Sequence, residues 1–251
     1  ENVLIPRQDT EILVEEVMRE LHDGMHILDL CTGSGCILLS LLRYSNDCQG
    51  TGSDLSEKSL IVARENARRL SLEASFVQGD LFENITGRFE VIVSNPPYIR
   101  HSEIASLMEE VREHDPMMAL DGGEDGLAFY RRIIKEAGGY LYPGGKLFLE
   151  IGWDQAKEVS ELLQQAGYLD IMLSKDYAGH ARVVSGRRNR SKKVYDKLED
   201  LLIRYEEIMG ELGEPTVTNN QERFRKLMKE QSDLTPIVEA YKEYKKAKQD
   251  I

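Results

Sequence analysis

Apolar residues follow two rhythms along this chain. Up to about Gly186, short apolar runs alternate with stretches in which apolar positions recur every three or four residues, the signature of βα units feeding a parallel sheet. His26–Cys31 (HILDLC) reads as a buried strand, Gln49–Asp54 as a weaker one, Ala74–Gln78 as a third and Glu90–Ser94 (EVIVS) as a fourth. Gly145–Ile151 (GKLFLEI) is the clearest strand, and Leu169–Leu173 with Ala181–Ser185 closes the sheet as an antiparallel pair. Helices are predicted over Cys36–Tyr44, over Glu57–Leu70 behind a Ser56 cap, over Gly126–Ala137 and over Asp154–Ala166. This is the inventory of an α/β, doubly wound sheet of about seven strands.

Beyond the basic run 187–193 the pattern is helical throughout. Leu198, Leu201, Leu202, Tyr205, Ile208, Met209 and Leu212 place Tyr195–Leu212 on one amphipathic helix, ended by Gly213-Glu214-Pro215. Asn219 or Asn220 caps a second helix with Phe224, Leu227 and Met228 inside. Ser232–Pro236 reads as a break and restart, because Thr235 can cap and Pro236 suits a first helical turn. Tyr241 and Tyr244 then lie on a third helix of an all-α segment. The expected division is 1–186, a linker at 187–193, and 194–251.

Charge narrows the partners. Residues 1–190 carry 20 basic against 31 acidic residues, while 191–251 carry 12 against 13. A non-specific nucleic-acid binder needs a basic face to neutralise phosphates, so the acidic balance argues against direct nucleic-acid binding by 1–186. No run approaches the roughly 20 apolar residues of a membrane span. Cys31, Cys36 and Cys48 form no CxxC pair and five scattered histidines show no ligand spacing. A reducing, cytoplasmic setting is expected, with no disulfide framework and no metal site. His114 and His180 carry no metal role on this reading, and Trp153 is a packing residue at a helix start.

The chemistry-bearing residues fall at strand ends. Asp29-Leu30-Cys31-Thr32-Gly33-Ser34-Gly35 puts glycines where a strand turns sharply into a helix, and a missing side chain lets a ligand approach the backbone. Alone the motif is weak. Asp54 lies 19 residues beyond Gly35 at the end of the next strand, where a carboxylate can accept from both ribose hydroxyls of an adenosine. Gly79-Asp80-Leu81 follows the third strand, with Asp80 placed for an adenine amino group and Leu81 for its ring. Read singly, Asp54 is also a helix-capping loop residue and Asp80 a plain turn residue.

Asn95-Pro96-Pro97-Tyr98 is the discriminating set, because it directly follows a fully apolar strand at the carboxyl edge of the sheet. An amide nitrogen is a poor nucleophile, its lone pair being delocalised into the carbonyl. The Asn95 side-chain oxygen and the Pro96 backbone oxygen can each accept one N–H of a substrate NH₂ group, aiming the nitrogen and favouring the positive charge that builds on it. The prolines stiffen the carbonyl directions, and Tyr98 covers the planar group.

Residues 1–186 resemble the HemK/PrmC glutamine methyltransferases. The matching stretches are Val3–Arg7, the DLCTGSG turn, Asn95–Ile99 (NPPYI), Ala119–Leu127 (ALDGGEDGL) and Ala178–Val184 (AGHARVV). The resemblance implies a class I methyltransferase, Rossmann-like sheet, S-adenosyl-L-methionine as cofactor, and methylation of the glutamine in the Gly-Gly-Gln loop of peptide chain release factors. It implies cofactor contacts from Cys31, Thr32, Gly33, Ser34, Gly35, Asp54, Leu81 and Asn95, with Asn95–Tyr98 holding the substrate glutamine. Two departures stand out: Gln8-Asp9 replaces the family's Pro-Glu, and the helical domain that family members carry before Ile5-Pro6-Arg7 does not precede it here. Tyr195–Ile251 is similar to the first helical domain of a bacterial class-1 release factor, which implies a ribosome- or release-factor-related contact. The chain contains no Gly-Gly-Gln, so this tail is not its own acceptor. Two other functions stay open at this point: a nucleic-acid amino-methyltransferase using the same four residues, and a helical interaction module on a non-catalytic fold.

Overall fold

The computed structural model describes residues 9–104, 120–189, 191–214, 217 and 220–249. Val3–Arg7, Gln8, His114, Ala119, Pro215 and Asn219, on which the sequence reading drew, lie outside them. The chain forms two compact units, Glu1–Asn189 and Arg190–Ile251.

In the first unit a helix α1 (Asp9–Met18) precedes the strands β1 (His26–Leu30), β2 (Gln49–Asp54), β3 (Ser75–Gln78), β4 (Phe89–Ser94), β5 (Leu141–Glu150), β6 (Leu169–Lys175) and β7 (Ala181–Arg187). Between them run α2 (Cys36–Tyr44), α3 (Glu57–Leu70), the short α4 (His101–Ile104), α5 (Ala128–Tyr140) and α6 (Ala156–Gln165). The seven strands pair in the order β3-β2-β1-β4-β5-β7-β6. Pairing is parallel from β3 to β5, and β7 runs antiparallel to both β5 and β6. The order reverses between β1 and β4, so the loops leaving those two strands diverge and open a crevice at their carboxyl ends.

Period-two alternation in the central strands builds two core layers. Leu28, Leu30, Ile92, Leu147 and Leu149 face α5 and α6, packing on Tyr130, Ile133, Val159 and Leu163. Ile27, Val91, Val93 and Phe148 face the other way, onto Ile12, Leu13, Val17, Leu38 and Leu41 of α1 and α2. Each fully buried leucine or isoleucine contributes about 1.5–3 kcal/mol. Both layers are therefore rigid beneath the crevice, as close-packed interiors are. Glycines permit the nearest approach: a Cβ on Gly50 would lie 2.8 Å from Leu38 and Leu42.

The second unit is a hairpin of α7 (Ser191–Leu212) and α8 (Gln221–Gln249). Leu202, Val238 and Tyr241 form one buried contact layer, and Ile208, Val217 and Leu227 the other. Arg204 spans both Glu230 carboxylate oxygens at 2.8 and 3.0 Å. Asn220 caps α8, its side-chain oxygen accepting from the Arg223 N–H at 3.1 Å.

The expected break at Ser232–Pro236 is not there: α8 runs unbroken through Pro236. Thr235 does not cap a new helix. Its hydroxyl donates to the Gln231 carbonyl, 2.7 Å away, inside the continuing one. Leu234 and Val238 on either side are held against Leu198, Leu202 and Tyr205, and this packing outweighs the lost backbone hydrogen bond. Replacing Pro236 by alanine restores that bond, and an interior proline costs up to about 3 kcal/mol. Pro236→Ala is therefore expected to raise the unfolding temperature of the helical unit in a thermal melt followed by circular dichroism; an unchanged or lower value would show that proline there is strain-free.

Candidate active site

The turn after β1 is wound tightly. Cys31 and Gly33 have φ of 58° and 55°, and Gly35 at 76° caps α2. The Thr32 N–H donates to the Ser53 carbonyl at 3.0 Å and the Gly35 N–H to the Thr32 carbonyl at 2.8 Å. The Asn66 amide donates to the Ser34 carbonyl at 3.0 Å. Gly35 also allows α3 to approach, since a Cβ there would come within 3.2 Å of Ala63.

Asp54 ties this turn to the next strand. One carboxylate oxygen accepts from the Gly33 N–H and the other from the Ser56 N–H, both at 2.9 Å. Ser56 itself caps α3, accepting from Ser59 N–H at 3.3 Å. Each Asp54 oxygen retains a second acceptor site. Beyond β3, the Asp80 carboxylate meets Arg132 at 2.8 Å, while its N–H donates to Glu83. Leu81 takes a φ of 56° and its side chain is buried in the core layer beneath α5. Its carbonyl accepts the Ser53 hydroxyl at 2.9 Å.

Two buried carboxyls lie beneath the crevice. Asp29 accepts from the Thr32 hydroxyl at 2.6 Å, but its other oxygen has no partner. Burial pushes Asp29 up to about 7, opposed by the Thr32 bond and assisted by Asp54. Glu150, at the end of β5, is 3% exposed with an unpartnered Oε2. Burial raises it to about 7 as well; Thr10, Arg182 and Asn95 favour its charged form, and Asp9 opposes it. Burial also lifts the thiols, Cys36 to about 11 and Cys31 further, so neither is a thiolate nucleophile at neutral pH.

A carboxyl whose folded pKa is raised contributes fully below its unfolded value, and that contribution is lost as pH climbs through the folded one. For Glu150 the window runs from 4.5 to about 7. Glu150→Gln is expected to stabilise the protein at pH 8 by up to about 3 kcal/mol and to do nothing at pH 4, read from urea melts at both pH values. Equal effects at the two pH values would refute the assignment.

Asn95 and Tyr98 are half-buried where the chain leaves β4, with Pro96 and Pro97 buried between them. Since Ser94 pairs with Leu149, Asn95 comes level with Glu150 on the adjacent strand. Ile99 bonds Leu120 and Gly122 in turn, at 3.0 and 2.8 Å, which joins this loop to the segment around Asp121. Gly122 packs flat on the loop: a Cβ would stand 2.7 Å from the Tyr98 Cα. Asn95–Tyr98, Cys31–Gly35, Asp54 and Asp80 thus share the carboxyl edge of the sheet. Among the described residues there is no group of three or more His, Cys, Asp or Glu side chains arranged to hold a metal ion. Nor is any described helix long and apolar enough to cross a membrane.

The methyltransferase small domain family matches residues 7–124, and the PCRF domain family matches residues 201–251. The release factor glutamine methyltransferase of Agrobacterium fabrum is 46% identical over 193 residues, covering 74% of this chain and 67% of that protein. The chain belongs to the release factor glutamine methyltransferase family. The protein of the same name from Clostridium acetobutylicum is 47% identical over 189 residues, 72% of this chain and 66% of that protein. The chain spans about two thirds of the length of these relatives. Among solved structures, a methyltransferase from Pyrococcus furiosus is similar with a TM-score of 0.54 and 23% identity, over 70% of this chain and 81% of that one. That likeness speaks for the fold, a class I methyltransferase sheet.

In this release factor glutamine methyltransferase family member, sequence reasoning missed three features of the site. Glu150 sat unremarked in GKLFLEI, although an acid inside an apolar strand is a signal worth following. Nothing in the sequence marks Gly122 and Gly126 as the points where loops pack on Tyr98 and Gln155. Gln155 carried no signal in the sequence, because its role depends on three loops converging.

Proposed function

We propose that this chain transfers the methyl group of S-adenosyl-L-methionine to the side-chain amide nitrogen of the glutamine in the Gly-Gly-Gln loop of peptide chain release factors. The observation that carries this reading is the Asn95–Tyr98 loop, level with Glu150 at the open edge beside the glycine turn. No Gly-Gly-Gln occurs among these 251 residues. The names of the curated relatives supply the substrate class, and a substrate that acts in translation supports a cytoplasmic setting.

The pocket suits a cationic methyl donor. The orphaned oxygen of buried Asp29 and the second lone pairs of Asp54 lie along a glycine turn that leaves room at the backbone. Cys31–Gly35, Asp54, Asp80, Leu81 and Asn95 would hold the donor, which supplies a methyl group activated by a sulfonium. Where Glu150 is ionised it only accepts hydrogen bonds, which would favour the Asn95 NH₂ group toward it and leave Oδ1 for the substrate. Asn95 Oδ1 and the Pro96 carbonyl each take one N–H of the acceptor amide. The bound donor would supply the methyl group, and the two oxygens would keep the nitrogen lone pair aimed at it. Positive charge grows on nitrogen, facing two oxygens, and the proton leaves afterwards from the acidic cationic product.

The test is labelled S-adenosyl-L-methionine with full-length release factor or nucleic acid, and mapping of the label. A label on the Gly-Gly-Gln glutamine is expected. Label on nucleic acid, or none on that glutamine, overturns the reading.

A further inference from the structure

Gln155 is 2% exposed and uses its whole amide. Its NH₂ group donates to the Tyr98 carbonyl at 2.9 Å and to the Gly126 carbonyl at 3.2 Å. Its oxygen accepts from the Gly152 N–H at 3.0 Å and lies 3.3 Å from the Tyr130 hydroxyl. That hydroxyl's single hydrogen has a nearer acceptor in the Glu150 carbonyl, at 3.0 Å. Both N–H donors face carbonyl oxygens and the oxygen faces a backbone N–H, so the amide has one orientation.

The surroundings are cut to this amide. A Cβ on Gly126 would fall 2.6 Å from Gln155 Nε2 and 2.5 Å from the Tyr98 carbonyl oxygen. A Cβ on Gly152 would fall 2.9 Å from Gln155 Oε1. The two glycines leave space that the amide fills. Three segments meet there: the loop after β4, the segment before α5, and the turn after β5. Gln155 is the N-cap residue of α6, directly before its first turn.

We infer that Gln155 is the positioning residue of the acceptor site, holding the Asn95–Tyr98 loop at the spacing that aims two carbonyl oxygens at one NH₂ group. This rests on the proposed amide methylation. Pro96 and Pro97 have no N–H to anchor their own loop, so the carbonyl at its far end is tied down by a side chain instead. With that tie cut, the Pro96 carbonyl loses its fixed direction and the acceptor nitrogen its alignment. Small misplacements of a reacting group cost rate out of proportion to their size. The glycine turn and Asp54, on the far side of β1, keep their contacts.

Gln155→Glu keeps the shape but sets a carboxylate oxygen against two carbonyls; only its protonated form can donate to one of them. Gln155→Leu removes all four contacts. In the full chain, with release factor as acceptor, both variants are expected to lose at least about 30-fold in kcat while the Kd for S-adenosyl-L-methionine, by calorimetry, stays within about threefold. The Glu variant should regain part of its rate relative to the unaltered protein at pH 6 compared with pH 8, whereas the Leu variant should not. A kcat within threefold of the unaltered protein, or a loss matched by weaker cofactor binding, overturns the proposal. Hydrogen exchange decides where activity cannot. Amides of Ile99 and Gly122 should exchange faster in the Glu variant, and unchanged protection there overturns the tie itself. If the unaltered protein labels no release factor, the function fails and the exchange result still judges Gln155.

Discussion

Asn95→Ala should lower kcat for release-factor methylation by about 10²–10³-fold, the usual cost of removing one aimed hydrogen-bonding group from a reacting centre. In the proposed reaction Asn95 would contribute an oxygen that meets one substrate N–H only when the nitrogen is in line for attack. It also stands against Glu150, the buried carboxyl raised to about 7. Truncation therefore removes an acceptor and leaves Glu150 less solvated, which makes the site less negative as well as less ordered. An ordinary hydrogen bond is worth ~0.5–1.5 kcal/mol, so cofactor affinity should weaken by no more than about tenfold. The decisive measurement is single-turnover transfer at saturating cofactor and acceptor. A single-turnover rate within fivefold of the unaltered protein would remove Asn95 from the chemistry. Asn95→Asp is expected to fare no better, because it places a second carboxyl beside Glu150 and the two must share a proton.

Asp54→Ala should act on the other half of the reaction. Its carboxylate pins the Gly33 and Ser56 N–H groups at 2.9 Å each, which sets the shape of the glycine turn and the start of α3. On the proposed reading its remaining lone pairs would accept from a ribose diol. Charge-assisted hydrogen bonds contribute about 1.5–3 kcal/mol, so losing the ribose contacts should weaken S-adenosyl-L-methionine binding by about 100-fold. At saturating cofactor the transfer rate should fall by no more than about tenfold, in contrast to Asn95→Ala. Titration calorimetry separates the two. A Kd within threefold of the unaltered protein would leave Asp54 a turn residue only.

The contrast between these variants follows from the sheet order. Asp54 and Asn95 are 41 residues apart in the chain and lie on opposite sides of β1. On the proposed reading, residues on the β2 side serve the donor and those on the β4 side the acceptor. The reversal of strand order between β1 and β4 keeps them on separate elements, so each can be weakened alone.

Several features were legible in the residues themselves. Apolar runs such as Val91–Val93 and Leu147–Leu149 give β4 and β5, because a strand buried on both faces has little choice of neighbours. Glycine at 33 and 35 marks the turn, since backbone at positive φ favours that residue. Asp54 and Asn95 were readable because each closes a strand. The α8 helix was misread at Pro236, where a local preference yields to packing spread along the hairpin. α1 has a weak pattern of its own and is stabilised by the core it covers.

What the sequence by itself determined is the set of strands, the glycine turn and the four residues Asn95–Tyr98, all of which depend on near neighbours along the chain. Only the tertiary structure decided that Glu150 stands level with Asn95, that Asp29 keeps an unpartnered oxygen under the crevice, and that Gln155 joins three loops. Those depend on register and on the meeting of segments distant in sequence. A hydrogen bond acts over about 3 Å of space, whatever number of residues separates its ends.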